Sequence, residues 1–216
     1  MSVQRLEIGD PFFAISYIDG EDVHPIGDKT IVLNLSHTPL QVRDQQLQFL
    51  QSNVLVNTEI NNVERAVIVE NFASHDDEDD LLQRVKQVWP LAYDVRKEER
   101  LKGVAHYMGP KIHIGDLGLG LYHAGSVPLK VGLHKEHPWC PEPGFKEVHT
   151  QLVGYGKMQQ CREKDVDTLY LEEPMSPGTT HKPMYDEEGN YPWRQYETVT
   201  PGIFMAVEIL PSAPSN

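Results

Sequence analysis

Residues 131–156, VGLHKEHPWCPEPGFKEVHTQLVGYG, hold three histidines and three carboxylates among strand-forming Val and Leu. His134, Glu136 and His137 end one apolar run. Glu147, His149 and Gln151 then alternate with Val148, Thr150 and Leu152. A strand sends every second side chain to the same face, so the three polar residues share one face and the apolar set the other. Imidazole and carboxylate together suit Zn, Fe, Mn or Ni. Downstream, in MSPGTTHKPM (residues 175–184), Pro177 and Gly178 form a turn that presents His181. The reading is that the two pieces build one metal site. The alternative for the alternating residues is a solvated strand face.

The rest of the composition narrows the function classes. The 216 residues suffice for one medium domain, or a core domain with an elaborated N-terminal part. Sixteen Gly and sixteen Pro favour short strands and many turns over long helices. The net charge of −13, with Lys and Arg scattered, leaves no basic stripe to neutralise phosphates, so no nucleic-acid partner is expected. The acidic balance argues against an anionic membrane surface, and no segment has the apolar length of a bilayer span. The opening MSVQRLEIGD lacks the apolar core of a secretion signal, and the expectation is a cytoplasmic protein. Cys140 and Cys161 form no Cys-x-x-Cys pair and read as reduced thiols, Cys140 lying inside the site loop.

Along the chain, residues 12–18, 30–35 and 63–69 read as strands, and 42–56 fits helix or strand. The segment SHDDEDDLLQRVKQVWP then carries an acidic start, apolar residues at helical spacing and a stop at Pro90, which predicts a helix near 78–89. The charged stretch 94–102 adds a helical turn or two. From Val104 to Leu210 short strands alternate with Gly and Pro: 111–114, 119–123, 127–133, 146–153, 157–161, 168–171, 181–184 and 203–209. GDLGLG (115–120) lacks the Lys-Ser/Thr and the helix of a phosphate loop and reads as a β-turn. The organisation is therefore an N-terminal β-rich extension (1–103), a barrel (104–210) and a short tail (211–216), in one compact unit.

The second half resembles the cupin superfamily. Glu147, followed by VHTQLV and Gly154, is similar to the second half of the first cupin motif, in which a His-x-His pair precedes Glu, six residues and Gly. SPGTTH is similar to the second motif, Pro-x-Gly-x-x-His, through Gly178 and His181, with Pro177 one place late. In place of His-x-His stands His134-Lys135-Glu136-His137, so either Glu136 or His137 partners His134, and His149 competes with Glu147. The resemblance implies a mainly β fold: a cupin-like β-barrel (double-stranded β-helix, jelly roll) with an N-terminal β-rich extension and one or two helices. It also implies one divalent transition metal (Fe, Mn, Zn or Ni) held from among His134, His137, Glu147, His149 and His181, and a homodimer.

The function implied is a metal-dependent enzyme acting on a small polar, carboxylate-bearing metabolite by oxygenase, isomerase or lyase chemistry. Two alternatives stand beside it: a non-enzymatic barrel that binds a small ligand, and a metal-free, epimerase-like cupin in which a His base works with a Tyr. Gln151 and Tyr155 lie where they would orient a polar substrate. KPMYDEEGNYPWRQYE reads either as a lid or substrate wall, with Trp193, Arg194 and Tyr196 in it, or as an exposed loop whose aromatics cover the barrel end. If the segment folds back over the pocket, Lys182 and Arg194 supply positive potential for a carboxylate; the alternative is that both point to solvent and offset Asp186, Glu187 and Glu188.

Overall fold

The computed structural model describes residues 2–75, 77–136, 144–185 and 190–211. In chain order the strands are β1 (Ser2–Leu6), β2 (Ala14–Ile26), β3 (Thr30–Asn34), β4 (Leu40–Val42), β5 (Gln45–Leu47), β6 (Ser52–Leu55) and β7 (Thr58–Glu70). Two helices follow, α1 (Glu78–Val88) and α2 (Ala92–Arg96), and then β8 (His106–Ile114), β9 (Leu117–Ala124), β10 (Lys146–Val153), β11 (Gly156–Cys161), β12 (Leu169–Met175), β13 (Trp193–Thr198) and β14 (Gly202–Ile209). They form three antiparallel sheets: a seven-stranded sheet from β1 to β7, a four-stranded sheet in the order β10-β14-β9-β8, and a three-stranded sheet β12-β11-β13. The chain is mainly β with two short α-helices, as the sequence predicts.

The four-stranded sheet lies in the middle and is covered on both faces. Val148, Leu152, Met205, Val207, Leu119 and Leu121 turn one face toward the N-terminal sheet, where they pack with Ile15, Tyr17, Leu33 and Val67 and with Leu81, Leu82 and Val85 of α1. Tyr122, Ala124, Phe204 and Ala206 turn the other face toward Met158 and Tyr196 of the three-stranded sheet. Every residue of β9 is consequently buried. A third cluster closes the far side of the N-terminal sheet, where Leu40 and Leu47 of the β4–β5 hairpin cover Ile18, Val32, Ile60 and Ile68. Helix α1 starts on Asp77, whose carboxylate accepts from the backbone N–H groups of Asp79 and Asp80, a cap that satisfies two donors of the first turn.

The strand read at 146–153 is β10 itself. Two other segments differ from their sequence reading. Residues 127–133 form no named strand: beside β13 they make one bridge at Lys130, with hydrogen bonds between Leu129 and Thr198 and between Val131 and Tyr196, and His134 just beyond makes a second bridge; Pro128 has no backbone N–H to contribute to a ladder. Residues 181–184 are likewise irregular, the pairing there ending at a single Thr150–Thr180 bridge. Conversely, residues 193–198, read as a lid, are β13, a ladder partner of β11 from Trp193 to Thr198.

His123 on β9 has no exposed surface, and neither ring nitrogen has a hydrogen-bond partner. Burial, then the charge of Lys86, lowers its pKa to about 4, while unfolded it titrates near 6.5. Between those values the unfolded chain binds the proton and the folded chain does not. The stability His123 contributes is therefore complete above about pH 6.5 and is lost as pH falls toward 4. Denaturant unfolding is expected to show a loss of about 2 kcal/mol from this residue between pH 7 and pH 5, a loss absent from His123→Leu.

Candidate functional site

Alternation along β10 turns Glu147, His149 and Gln151 into the space between the two smaller sheets. The register sets their neighbours: Glu147 pairs with Glu208 of β14, His149 with Ala206 and Gln151 with Phe204. On the next strand Ala206 faces Gly120 and Glu208 faces Gly118, so His149 stands in a row of small residues that leaves room beside it. Two carboxylates directly opposite each other repel. Each has its own cation: Arg194 Nη2 donates to Glu147 Oε2 at 3.0 Å, and Lys111 Nζ donates to Glu208 Oε2. Arg194 reaches Glu147 because β13 points Arg194, Tyr196 and Thr198 inward. Only 2 % of its side chain is exposed, and its guanidinium lies 4.4 Å from the Tyr191 ring centroid.

A cavity of about 40 Å³ opens between these groups, lined by Glu147, His149, Arg194 and His134 and by two further guanidiniums, Arg96 and Arg100. Tyr122, Tyr196, His106 and Phe204 complete its wall. Arg96 and Arg100 come from α2 and the 3₁₀ turn Glu99–Leu101, with Glu98 between them in ion-pair contact with both, at 2.5 and 2.6 Å. Arg96 Nη2 is nonetheless buried with no hydrogen-bond partner in good geometry. Arg100 and His134 also line an outer basin of about 540 Å³, bounded by Glu98, Lys135, Lys164 and Trp193. A small molecule could lie in the basin with one end in the inner cavity.

The histidines are held in defined tautomers. His181 Nδ1 is 2.7 Å from the Lys182 carbonyl and His134 Nδ1 is 3.1 Å from the Gly132 carbonyl, so each Nδ1 carries the proton and donates it. His181 Nε2 is then a bare acceptor, buried and without a partner. Burial, and next His149, push the His181 pKa down to about 3; burial, Arg100 and Arg194 hold His134 well below its ordinary value. Both are neutral at pH 7. His149 Nε2 lies 3.5 Å from Glu147 Oε1, and its ring centroid is 5.1 Å from that of His181. Burial raises Tyr122 and Tyr196 to about 12, leaving both as protonated phenols, and Tyr196 donates to Gln151 Oε1 at 3.1 Å.

The turn at Pro177 and Gly178 does present His181. Its N–H meets the His149 carbonyl at 3.3 Å, and Gly178 adopts φ +89°. A relay of hydroxyls fastens this turn to both neighbouring sheets: Ser52 of β6 and Thr150 of β10 each lie 2.7 Å from Thr180 Oγ1, and Ser52 also donates to the Gly178 carbonyl at 2.8 Å.

Of the residues selected from sequence, Glu147, His149, His134 and Arg194 share the cavity wall; His181 adjoins His149 and Gln151 lies beside Tyr196. Glu136 is exposed, Tyr155 is 53 % exposed, and Lys182 faces outward with its backbone N–H on Glu173. His137 and Cys140 lie outside the described residues, while Cys161 is a buried free thiol whose pKa burial raises. Sequence reasoning missed Arg96, Arg100, Tyr122 and His106. The signal available was a pair of arginines four apart around Glu98, which read only as a helical turn.

The donor set has the chemistry of a metal site, with imidazole tautomers fixed by carbonyls and a bare Nε2. The placement does not fit one. Among the described residues no three His, Cys, Asp or Glu side chains come together closely enough to hold a metal ion. One oxygen of Glu147 is taken by Arg194, and three guanidiniums surround the space a cation would enter.

No protein-family model and no curated protein matches the chain. Among solved structures it is similar to a sugar phosphate isomerase of the cupin superfamily from Silicibacter pomeroyi (16 % identity, 57 % of this chain and 68 % of that one, TM-score 0.36). It is also similar to the Bacillus subtilis oxalate decarboxylase, described with Mn(II) centres (8 %, 94 % and 70 %, TM-score 0.38), and to AerE from Microcystis aeruginosa (12 %, 93 % and 87 %, TM-score 0.34). At these TM-scores the chemistry of the cavity stands on its own residues.

A Cβ added at Gly178 would meet Val54 Cγ2 at 2.3 Å, in a backbone conformation that side chains rarely adopt. Gly178→Ala is expected to lower stability by about 1–3 kcal/mol in denaturant unfolding. Pairing it with Val54→Ala should restore only the share due to the clash, since the strain at φ remains.

Proposed function

We propose that the cavity binds the anionic end of a small carboxylate-bearing metabolite and catalyses a proton transfer on it, of isomerase or lyase type. The observation that carries this reading is the facing of buried guanidiniums and a histidine–carboxylate pair across one small cavity. Arg96 has a buried, unpartnered Nη2, which in an otherwise hydrogen-bonded interior is a donor prepared for a ligand oxygen. Two carboxylates, Glu98 and Glu147, face three guanidiniums, so the local balance is positive although the chain is strongly acidic.

His149 is the base in this reading. Its Nε2 lies 3.5 Å from Glu147 Oε1, which orients the ring and stabilises the imidazolium, and its Nδ1, 3.3 Å from Met158 Sδ, is the nitrogen that takes the proton. Tyr122 is the proton donor: a neutral phenol at pH 7 beside Arg96, its ring against those of His106 and Phe204 at centroid distances of 5.3 and 5.4 Å. Arg96 and Arg100 hold the anion, and Arg194 pairs with Glu147. Tyr196 and Gln151 fix each other and so keep the His149 side of the wall rigid.

Calorimetric titration at low salt with small mono- and dicarboxylates, their phosphate counterparts and neutral amides tests the binding step. Carboxylates are expected to bind and amides are not; equal binding of both, or of neither, rejects the reading. Losing one charge-assisted contact in Arg96→Gln should weaken binding roughly 10- to 100-fold. His149→Ala separates an enzyme from a binding module. Turnover of a bound carboxylate should vanish while its affinity changes by no more than about threefold. A carboxylate that binds and is never turned over by the wild-type chain assigns the cavity to binding alone.

A further inference from the structure

We infer that the Arg194 guanidinium is the resident cation of this cavity, occupying the place a divalent metal would take among Glu147, His149 and His181, so that the pocket operates without a metal. The inference rests on the proposed function for what the cavity does, and on the geometry around Arg194 alone for what the cavity excludes.

The carboxylate and the two imidazoles form a continuous set: Glu147 Oε1 lies 3.5 Å from His149 Nε2, and the His149 and His181 ring centroids are 5.1 Å apart. His181 has its Nδ1 on a carbonyl and a bare, buried Nε2. Into this set β13 inserts Arg194. Its Nη2 donates to Glu147 at 3.0 Å and its Nη1 to the Lys135 carbonyl at 3.3 Å, while the guanidinium faces the Tyr191 ring. Its backbone is paired in both directions with His134, at 2.9 and 3.1 Å. A side chain so held cannot swing away without breaking its buried ion pair with Glu147 and its bond to the Lys135 carbonyl. Guanidinium stays charged across all accessible pH, and a second cation a few ångströms from it is repelled in a water-poor cavity. A single fixed charge of this kind polarises Glu147 and His149 as a metal would, needs no loading, and leaves no open coordination position.

The test is metal content. Wild-type chain purified without a polyhistidine tag and equilibrated with micromolar Mn²⁺ or Zn²⁺ is expected to retain less than about 0.1 equivalent by elemental analysis. Retention near one equivalent overturns the inference. Arg194→Met, which vacates the position without adding a donor, is expected to bind Zn²⁺ roughly 100-fold more tightly than the wild-type chain, and Arg194→Met with His181→Ala to lose that gain. No gain in a folded Arg194→Met also overturns it. Should Arg194→Met fail to fold in the absence of metal, recovery of its circular dichroism by Zn²⁺ supports the inference, and failure to recover counts against it. Arg194→Lys keeps the charge and should stay metal-free. These readings are made without any organic ligand, so a failure of carboxylate binding rejects the proposed function and leaves the metal result standing.

Discussion

The four-stranded sheet β10-β14-β9-β8 is buried on both faces, and this constraint shapes the rest of the molecule. An ordinary antiparallel sheet can leave one face to water and let its polar residues be solvated. Here the polar face is enclosed, so each charged or amide side chain on it has to find its partner inside the protein. Glu147 finds Arg194, Glu208 finds Lys111 and Gln151 finds Tyr196. The partners come from β13 of the three-stranded sheet and from β8, the edge strand of the same sheet.

Enclosure also explains the unusual state of the imidazoles. A histidine that would titrate near neutrality in water is kept neutral here because burial penalises the charged ring and the neighbouring guanidiniums add to the penalty. The positive charge in the cavity is therefore carried by groups that cannot lose it, and the histidines remain available as acceptors. An acidic chain can thus present a locally cationic interior, since its excess carboxylates lie largely on the exposed surface while the arginines of α2, the following turn and β13 are drawn inward.

How much of this was legible in sequence follows from which physical signals are local. The alternation of Glu147, His149 and Gln151 with Val148, Thr150 and Leu152 is a property of eight consecutive residues, and it marked both the strand and its site face. Gly178 and His181 were legible for the same reason, as a turn that only a glycine adopts easily. Arg194 was chosen as an anion contact but set in a lid, because WRQYET mixes aromatics and charges in a way that hides a strand whose polar partners sit on another element. Arg96 and Arg100 were not legible at all. Their segment has no apolar periodicity, and what draws it inward is a cavity assembled from β9, β10, β13 and β14, far away in sequence. The strand expected at 127–133 failed for the converse reason: its apolar run is real, yet it supplies a wall beside β13 through isolated bridges instead of a ladder.

The hydroxyl relay from Ser52 through Thr180 to Thr150 has a consequence for how this chain can vary. It ties the turn that carries His181 to an edge strand of the N-terminal layer, and Gly178 rests its bare Cα against Val54 of the same strand. Residues of the N-terminal layer thus set the position of a histidine beside the pocket. The second half could not be transplanted as a self-sufficient cassette, because the face formed by Val148, Leu152, Met205 and Val207 would be stripped of its cover and His181 of its anchor. Drift in β6 would reach the cavity by inheritance of this contact, so the two halves of the chain are bound to evolve as a single heritable unit.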